Sequence, residues 1–208
     1  LFPDFNEIKF IRLLNKINSG YEPVFIPIVT ESFATINECF SNVQKKVDLD
    51  GGSIVYGWQI WITELICEAE FHAIWKTSEG KLIDITPKIP HVDAILFVQD
   101  DSTTYKGVQI DNIRVNNTEN PIVNDFIDIH RNLFKIRNKG ERAFHHKCTL
   151  SREEATVYLN LETFSLALKN YIYQGGQTNT YCFCGSGWSY ADCHRIQLDA
   201  LIMRSKAI

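Results

Sequence analysis

Within thirteen positions near its end, the chain carries Cys182, Cys184, Cys193 and His194. Three thiols and an imidazole form a closed tetrahedral set of soft ligands, the set that a structural zinc ion takes. This cluster constrains the local fold more tightly than any periodicity in the sequence. Gly185 and Gly187 permit the sharp backbone reversal that turns the first ligand pair to face the second. A unit this short has almost no core of its own, so metal binding is expected to supply its folding energy. Of the six cysteines, three lie in this cluster at a spacing that suits metal far better than bridges, so a reducing compartment, the cytoplasm, fits best.

The run Cys182-Phe183-Cys184-Gly185-Ser186-Gly187, followed by Cys193-His194, resembles the SEC-C motif. This is a C-x-C-G-S-G…C-H/C zinc knuckle at the tail of the preprotein-translocase motor and in many bacterial proteins. The resemblance implies metal ligation by Cys182, Cys184, Cys193 and His194. Phe183 stands where that family usually has Pro, and Trp188 where a Lys is common, so the basic character of the family's usual docking surface is reduced. A zinc ion with four protein ligands has no open position for catalysis, which makes the knuckle scaffold or docking surface.

The 208 residues, 45% of them hydrophobic, suffice for one good core with a small appendage. The expected division is an α+β core with a helical extension over residues 1–176 and the knuckle over 177–208. A net charge of −4 argues against generic nucleic-acid binding. The basic residues Arg131, Lys135, Arg137, Lys139, Arg142 and Lys147 read as a solvated helix face rather than a polyanion site. No run of about twenty apolar residues offers a membrane span. The chain begins at Leu1 without an initiator methionine, which leaves room for a leader removed before it.

Ile8 to Ile17 is a short amphipathic stretch, and Glu22 to Thr30 an extended one. Thr35-Ile36-Asn37-Glu38 reads as a capping box opening a helix with Ile36, Phe40, Val43 and Val47 at helical spacing, ended by Gly51-Gly52. From Ser53 the period changes to two, and β-branched and aromatic residues dominate Ile54–Ile62, Leu65–Trp75, Lys81–Thr86 and Ala94–Val98. That is an antiparallel sheet in outline. A helix is expected over Ile122–Ile136. A second, from the capping box Ser151-Arg152-Glu153-Glu154, runs to about Tyr173.

Three residues in the first half carry a possible chemistry. Cys39 falls near the start of its helix, where the macrodipole favours thiolate. On the next strand His72 shares a face with Glu68 and Glu70. After the turn at Gly80, any register that keeps Ile83 and Ile85 on the apolar side puts Asp84 across from His72 or one diagonal step away. Nucleophile, base and orienting carboxylate are thereby assembled, with Glu70 as an alternative partner for His72 and Asn42 as a supporting residue. The competing reading makes Cys39 an inert core thiol beside Ile36, Phe40 and Val43, and pairs His72 with Asp84 on a solvated face. A third possibility is a metal-dependent hydrolase using His72, Glu68 and Glu70. His145-His146-x-Cys148 has metal-like residue types but no fourth ligand nearby and reads as a loop, and Cys67 reads as core.

The order Cys, His, Asp, with Phe71-His72-Ala73-Ile74-Trp75, Gly80 and Asp84-Ile85-Thr86-Pro87, resembles the papain-like and transglutaminase-like cysteine enzymes. It is also similar to a group of bacterial proteins reading C-x-x-N-V…G-G…Y-G-W…E-A-E-F-H-A-x-W…D-I-T-P, matched from Cys39 through Tyr56-Gly57-Trp58 to Pro87. The resemblance covers roughly residues 35–115. It implies a helix packed on an antiparallel sheet and a thiol-dependent peptidase, deamidase or acyltransferase acting on a protein or peptide. The rival expectation is a non-catalytic adaptor that docks a partner through the knuckle.

Overall fold

A computed structural model describes residues 8–145 and 148–208. The protein is mixed α/β, with five α-helices and a six-stranded antiparallel sheet among the described residues. It divides into two compact units. The first comprises residues up to Thr63 with Cys67–Lys106 and Asn112–Arg114; the second comprises Glu64–Ile66, Gly107–Asp111 and everything from Val115 onward. His146 and Lys147, part of the His/Cys and basic runs, lie outside the described residues.

The elements α1 (Ile8–Ile17), β1 (Val24–Pro27), α2 (Cys39–Asp50), β2 (Ser53–Ile62), β3 (Ile66–Lys76), β4 (Leu82–Ile83) and β5 (Ala94–Gln99) follow in chain order, and the sheet runs β1-β5-β2-β3-β4. A further strand, β6 (Ile113–Asn116), also pairs with β3. β4 is shorter than the expected Lys81–Thr86 because the chain leaves β3 after Ile83 and turns to β1. There Asp84 N–H donates to Pro27 O at 3.0 Å and Val29 N–H to Asp84 O at 2.9 Å, so the two ends of the sheet meet and it nearly closes on itself.

This closure changes the environment of β3. Ile26, Val55, Ile74, Ile95 and Phe97 fill the inside of the curled sheet, while Cys39 and Val43 of α2 cover the other face over Ala73 and Ile85. Both faces of β3 are therefore buried, so His72 does not point to a solvated side as the alternation had implied. Its cross-strand partner is Gly57. A Cβ on Gly57 would come within 2.2 Å of Val98 O and 2.4 Å of the Phe97 ring, so the close approach of β5 to β2 requires glycine here.

The helix α2 begins at Cys39 without the expected capping box; Glu38 is the N-cap and makes no side-chain cap. Asn42 holds the preceding segment instead. Its Oδ1 accepts from Thr35 N–H at 3.0 Å, and its Nδ2 donates to Thr35 O at 2.8 Å and to Thr86 Oγ1 at 3.2 Å. The segment 35–38 is thus tied to the first turn of the helix from the side.

In the second unit α3 (Ile122–Arg137) and α4 (Arg152–Tyr173) pack together, and α4 opens with the expected capping box of Ser151 and Glu154. The stretch between them includes a 3-10 helix, Gly140–Phe144. A last helix, α5 (His194–Ala207), follows the cysteine cluster. Residues 177–208 belong to this unit and share its core: Tyr190 and Leu198 are fully buried with Val157, Leu161 and Leu168. The knuckle is accordingly not coreless, because α3 and α4 supply the apolar surface that its own few residues lack.

Candidate active site and metal centre

Cys39 is the first residue of α2, where helix geometry leaves its N–H without an intrahelical acceptor. His72 is placed by β3, and the pairing of Trp75 with Ile83 sets Asp84 one diagonal step from it on the same face. The His72 Nε2–H donates to Asp84 Oδ2 at 3.0 Å, and Cys39 lies close enough to the same ring to raise its pKa. All three are buried: His72 is 3%, Asp84 0% and Cys39 7% exposed. These values dispose of the reading in which a His and an Asp pair on a solvated face.

The electrostatics agree with the geometry. Burial pulls the His72 pKa down, but the charge of Cys39 and the hydrogen bonds to Asp84 and Cys39 outweigh it and raise the pKa from 6.5 to about 9. Burial pushes the Asp84 carboxyl up; the bond from His72, the charges of His72 and Lys88 and the Thr86 N–H more than offset this and hold it below 3.8. Both oxygens of Asp84 are engaged: Oδ1 accepts from Thr86 N–H at 2.9 Å, while Oδ2 also takes Lys88 Nζ at 2.9 Å. Lys88, 3.2 Å from His72 Nε2, is the member of this network that sequence reasoning missed. Its only trace in the sequence is a cation four residues beyond the carboxylate, across a proline.

Cys39 and His72 open onto a cavity of about 300 Å³, whose wall includes Asn37, Gln59, Trp61 and Glu70. Glu70 does not pair with His72; one of its oxygens accepts from Trp61 Nε1 at 3.0 Å. Glu68 is engaged by Arg114 and Asn112. Among the described residues His72, Glu68 and Glu70 do not converge as a metal set, so the metal-hydrolase expectation is not met. Asn37 reaches a φ of 64° just ahead of the helix, and Tyr105 stacks on Phe40 with ring centroids 3.7 Å apart beside the helix start.

The second candidate is the Cys₃His cluster. The ligand atoms of Cys182, Cys184, Cys193 and His194 lie within 4.8 Å of one another, an arrangement that can hold a metal ion. His194 Nδ1 is 3.1 Å from Cys182 Sγ and 3.4 Å from Cys193 Sγ, and Cys184 Sγ is 3.6 Å from Cys193 Sγ. Bond lengths of about 2.0–2.3 Å in a tetrahedral site require ligand separations of about 3.5–3.8 Å, a range that the observed separations bracket. Cys182 N–H donates to Trp188 O at 2.8 Å, which closes the turn carrying the first two thiols, with Gly185 and Gly187 both at positive φ. The Phe183 ring packs 4.3 Å from the His194 ring and 5.4 Å from that of Tyr171, and Tyr190 Oη donates to Asp125 at 3.0 Å.

No protein-family model, curated protein or solved structure matches this chain. Among the described residues no helix is long and apolar enough to cross a membrane.

Proposed function

We propose that the first unit is a thiol-dependent amide enzyme with a papain-like or transglutaminase-like core, acting on a protein or peptide. The observation that carries this reading is His72, buried between the sulfur of Cys39 and the carboxylate of Asp84 at the wall of a cavity. With His72 already holding the proton, the sulfur of Cys39 attacks the carbonyl carbon, and the ring then delivers that proton to the departing amine, leaving a thioester. Water, or a second amine, gives a proton back to His72, attacks the thioester and releases the sulfur. Asp84 holds the ring through Nε2, and the N–H of Cys39 is the natural donor to the oxyanion.

The SEC-C-like cluster is assigned to structural zinc, held by Cys182, Cys184, Cys193 and His194. When bound, the ion supplies a cross-link between the turn and the start of α5 and no reaction chemistry, because four protein ligands fill its coordination.

Alkylation of the folded protein tests the enzymatic reading. Iodoacetamide near neutral pH is expected to modify Cys39 faster than free cysteine, and His72→Asn to abolish the advantage. A Cys39 that reacts no faster than free cysteine removes the basis for a thiol enzyme.

A further inference from the structure

The cavity holds a carboxylate that the catalytic proposal does not use. Glu70 stands two residues before His72 on β3, hence on the same face and about 7 Å along the strand from it. Trp61 Nε1–H fixes one of its oxygens at 3.0 Å. The two cationic groups on the cavity wall are both committed elsewhere: Lys88 to Asp84, at 2.9 Å, and His72 to Asp84 and Cys39. Directly across the strands from Glu70 is Gln59, which is 2% exposed yet lines the same cavity. The wall thus presents an oriented carboxylate, an indole and an amide in the same cavity as the sulfur.

We infer that Glu70, Trp61 and Gln59 form a subsite for a cationic side chain, a Lys or Arg next to the amide on which Cys39 acts. This inference rests on the proposed thiol chemistry for its location but not for its test. A carboxylate in a cavity with low-dielectric walls favours a cation strongly over a neutral isostere, because the charge-assisted bond forms away from bulk water. The indole adds a π face for the aliphatic stem and the charged head. The spacing selects a residue flanking the reacting carbonyl, since one extended residue spans about 3.3 Å and a Lys or Arg side chain supplies the remainder. Gln59 contributes hydrogen bonds to the substrate backbone.

Binding to Cys39→Ala separates the subsite from the chemistry. The probes are N-acetyl-lysine methylamide and N-acetyl-norleucine methylamide, followed through the indole N–H resonance of Trp61, which Trp61→Phe assigns. The lysine probe is expected to bind at least about tenfold more tightly than the norleucine probe and to shift that resonance. Glu70→Gln should erase the difference between the two probes. Equal affinity for the two probes in the Glu70-containing protein overturns the subsite, whatever the alkylation of Cys39 reveals. Slow alkylation with a preserved lysine preference overturns the thiol enzyme and leaves a cation-binding pocket.

Discussion

The two candidate sites hold their geometry by opposite means. His72 and Asp84 are aimed by backbone: strand register fixes both, closure of the sheet onto β1 pins Asp84 through its own N–H and C=O, and Asn42 ties down the loop before Cys39. The Cys₃His cluster has little such scaffolding. A single bridge between Tyr181 and Ser189 and a few turn bonds set its thiols, and Cys184 is exposed. A catalytic set must be preorganised before substrate arrives, so it belongs on a sheet. A structural metal site can instead be assembled by its ion.

If that contrast is right, the largest effect comes from removing the sulfur. Cys39→Ala should abolish turnover of a peptide amide, a loss of at least about a thousandfold, in a chain that still folds. Turnover that survives in this variant would move the chemistry elsewhere. Next in size is the metal. Chelation, or Cys184→Ser, should destabilise the second unit by about 4 kcal/mol. Metal analysis of the purified protein is expected to give one zinc per chain, and none in Cys184→Ser. Because Tyr190, Leu198 and Phe183 pack on α3 and α4, the loss should stop short of unfolding those helices, which hydrogen exchange can read directly. Iodoacetamide labelling of Cys39 should be unaffected. Collapse of both together would erase the distinction between the two sites.

The sequence made parts of this arrangement legible for identifiable reasons. The period of two puts His72 and Asp84 on one face whatever the exact register, and the capping box at Ser151 is a local signal that α4 obeys. The four ligand residues announce themselves by type and spacing. What stayed hidden depends on contacts distant in sequence. Curling of the sheet, which buries the His72 face, needs the pairing of Ile28 with Asp84, 56 positions apart. The Thr35–Glu38 box failed because Asn42, held also by Thr86 from a distant loop, offers Thr35 two bonds where the box offers one. The core under the knuckle was invisible because Tyr190 and Phe183 find their partners on α3 and α4. α5 went unread behind the cysteine cluster.

A smaller effect probes the first site by pH. The His72 pKa, raised from 6.5 to about 9, means the folded state holds that proton more tightly than the unfolded chain does. Its stabilisation is fully present below pH 6.5 and is lost as pH rises to about 9, a change of roughly 3 kcal/mol. Asp84, held below 3.8, acts in the other direction: its contribution is present above that value and is lost as pH falls through the folded-state pKa. Urea denaturation at pH 6 and pH 9 should give a steep decline for the wild-type chain and a shallow one for His72→Asn. Equal slopes would mean that the buried ring carries no charge worth stabilising.

The smallest expected effect distinguishes a positioned thiol from a merely buried one. Asn42→Ala removes both bonds to Thr35 and the bond to Thr86, three contacts around a side chain that is 5% exposed. Its cost to stability is about 1–3 kcal/mol, since the Thr35 groups can regain water once the loop loosens. The sharper readout is Cys39. Loosening residues 35–38 frees the helix start to shift relative to His72 without touching either residue, so alkylation of Cys39 should slow toward the free-cysteine rate, and the stability lost between pH 6 and pH 9 should shrink, because the charge of Cys39 is the largest of the causes that raise the His72 pKa. A variant that loses stability yet keeps fast alkylation would place Asn42 in the packing alone and leave the sulfur positioned by the sheet.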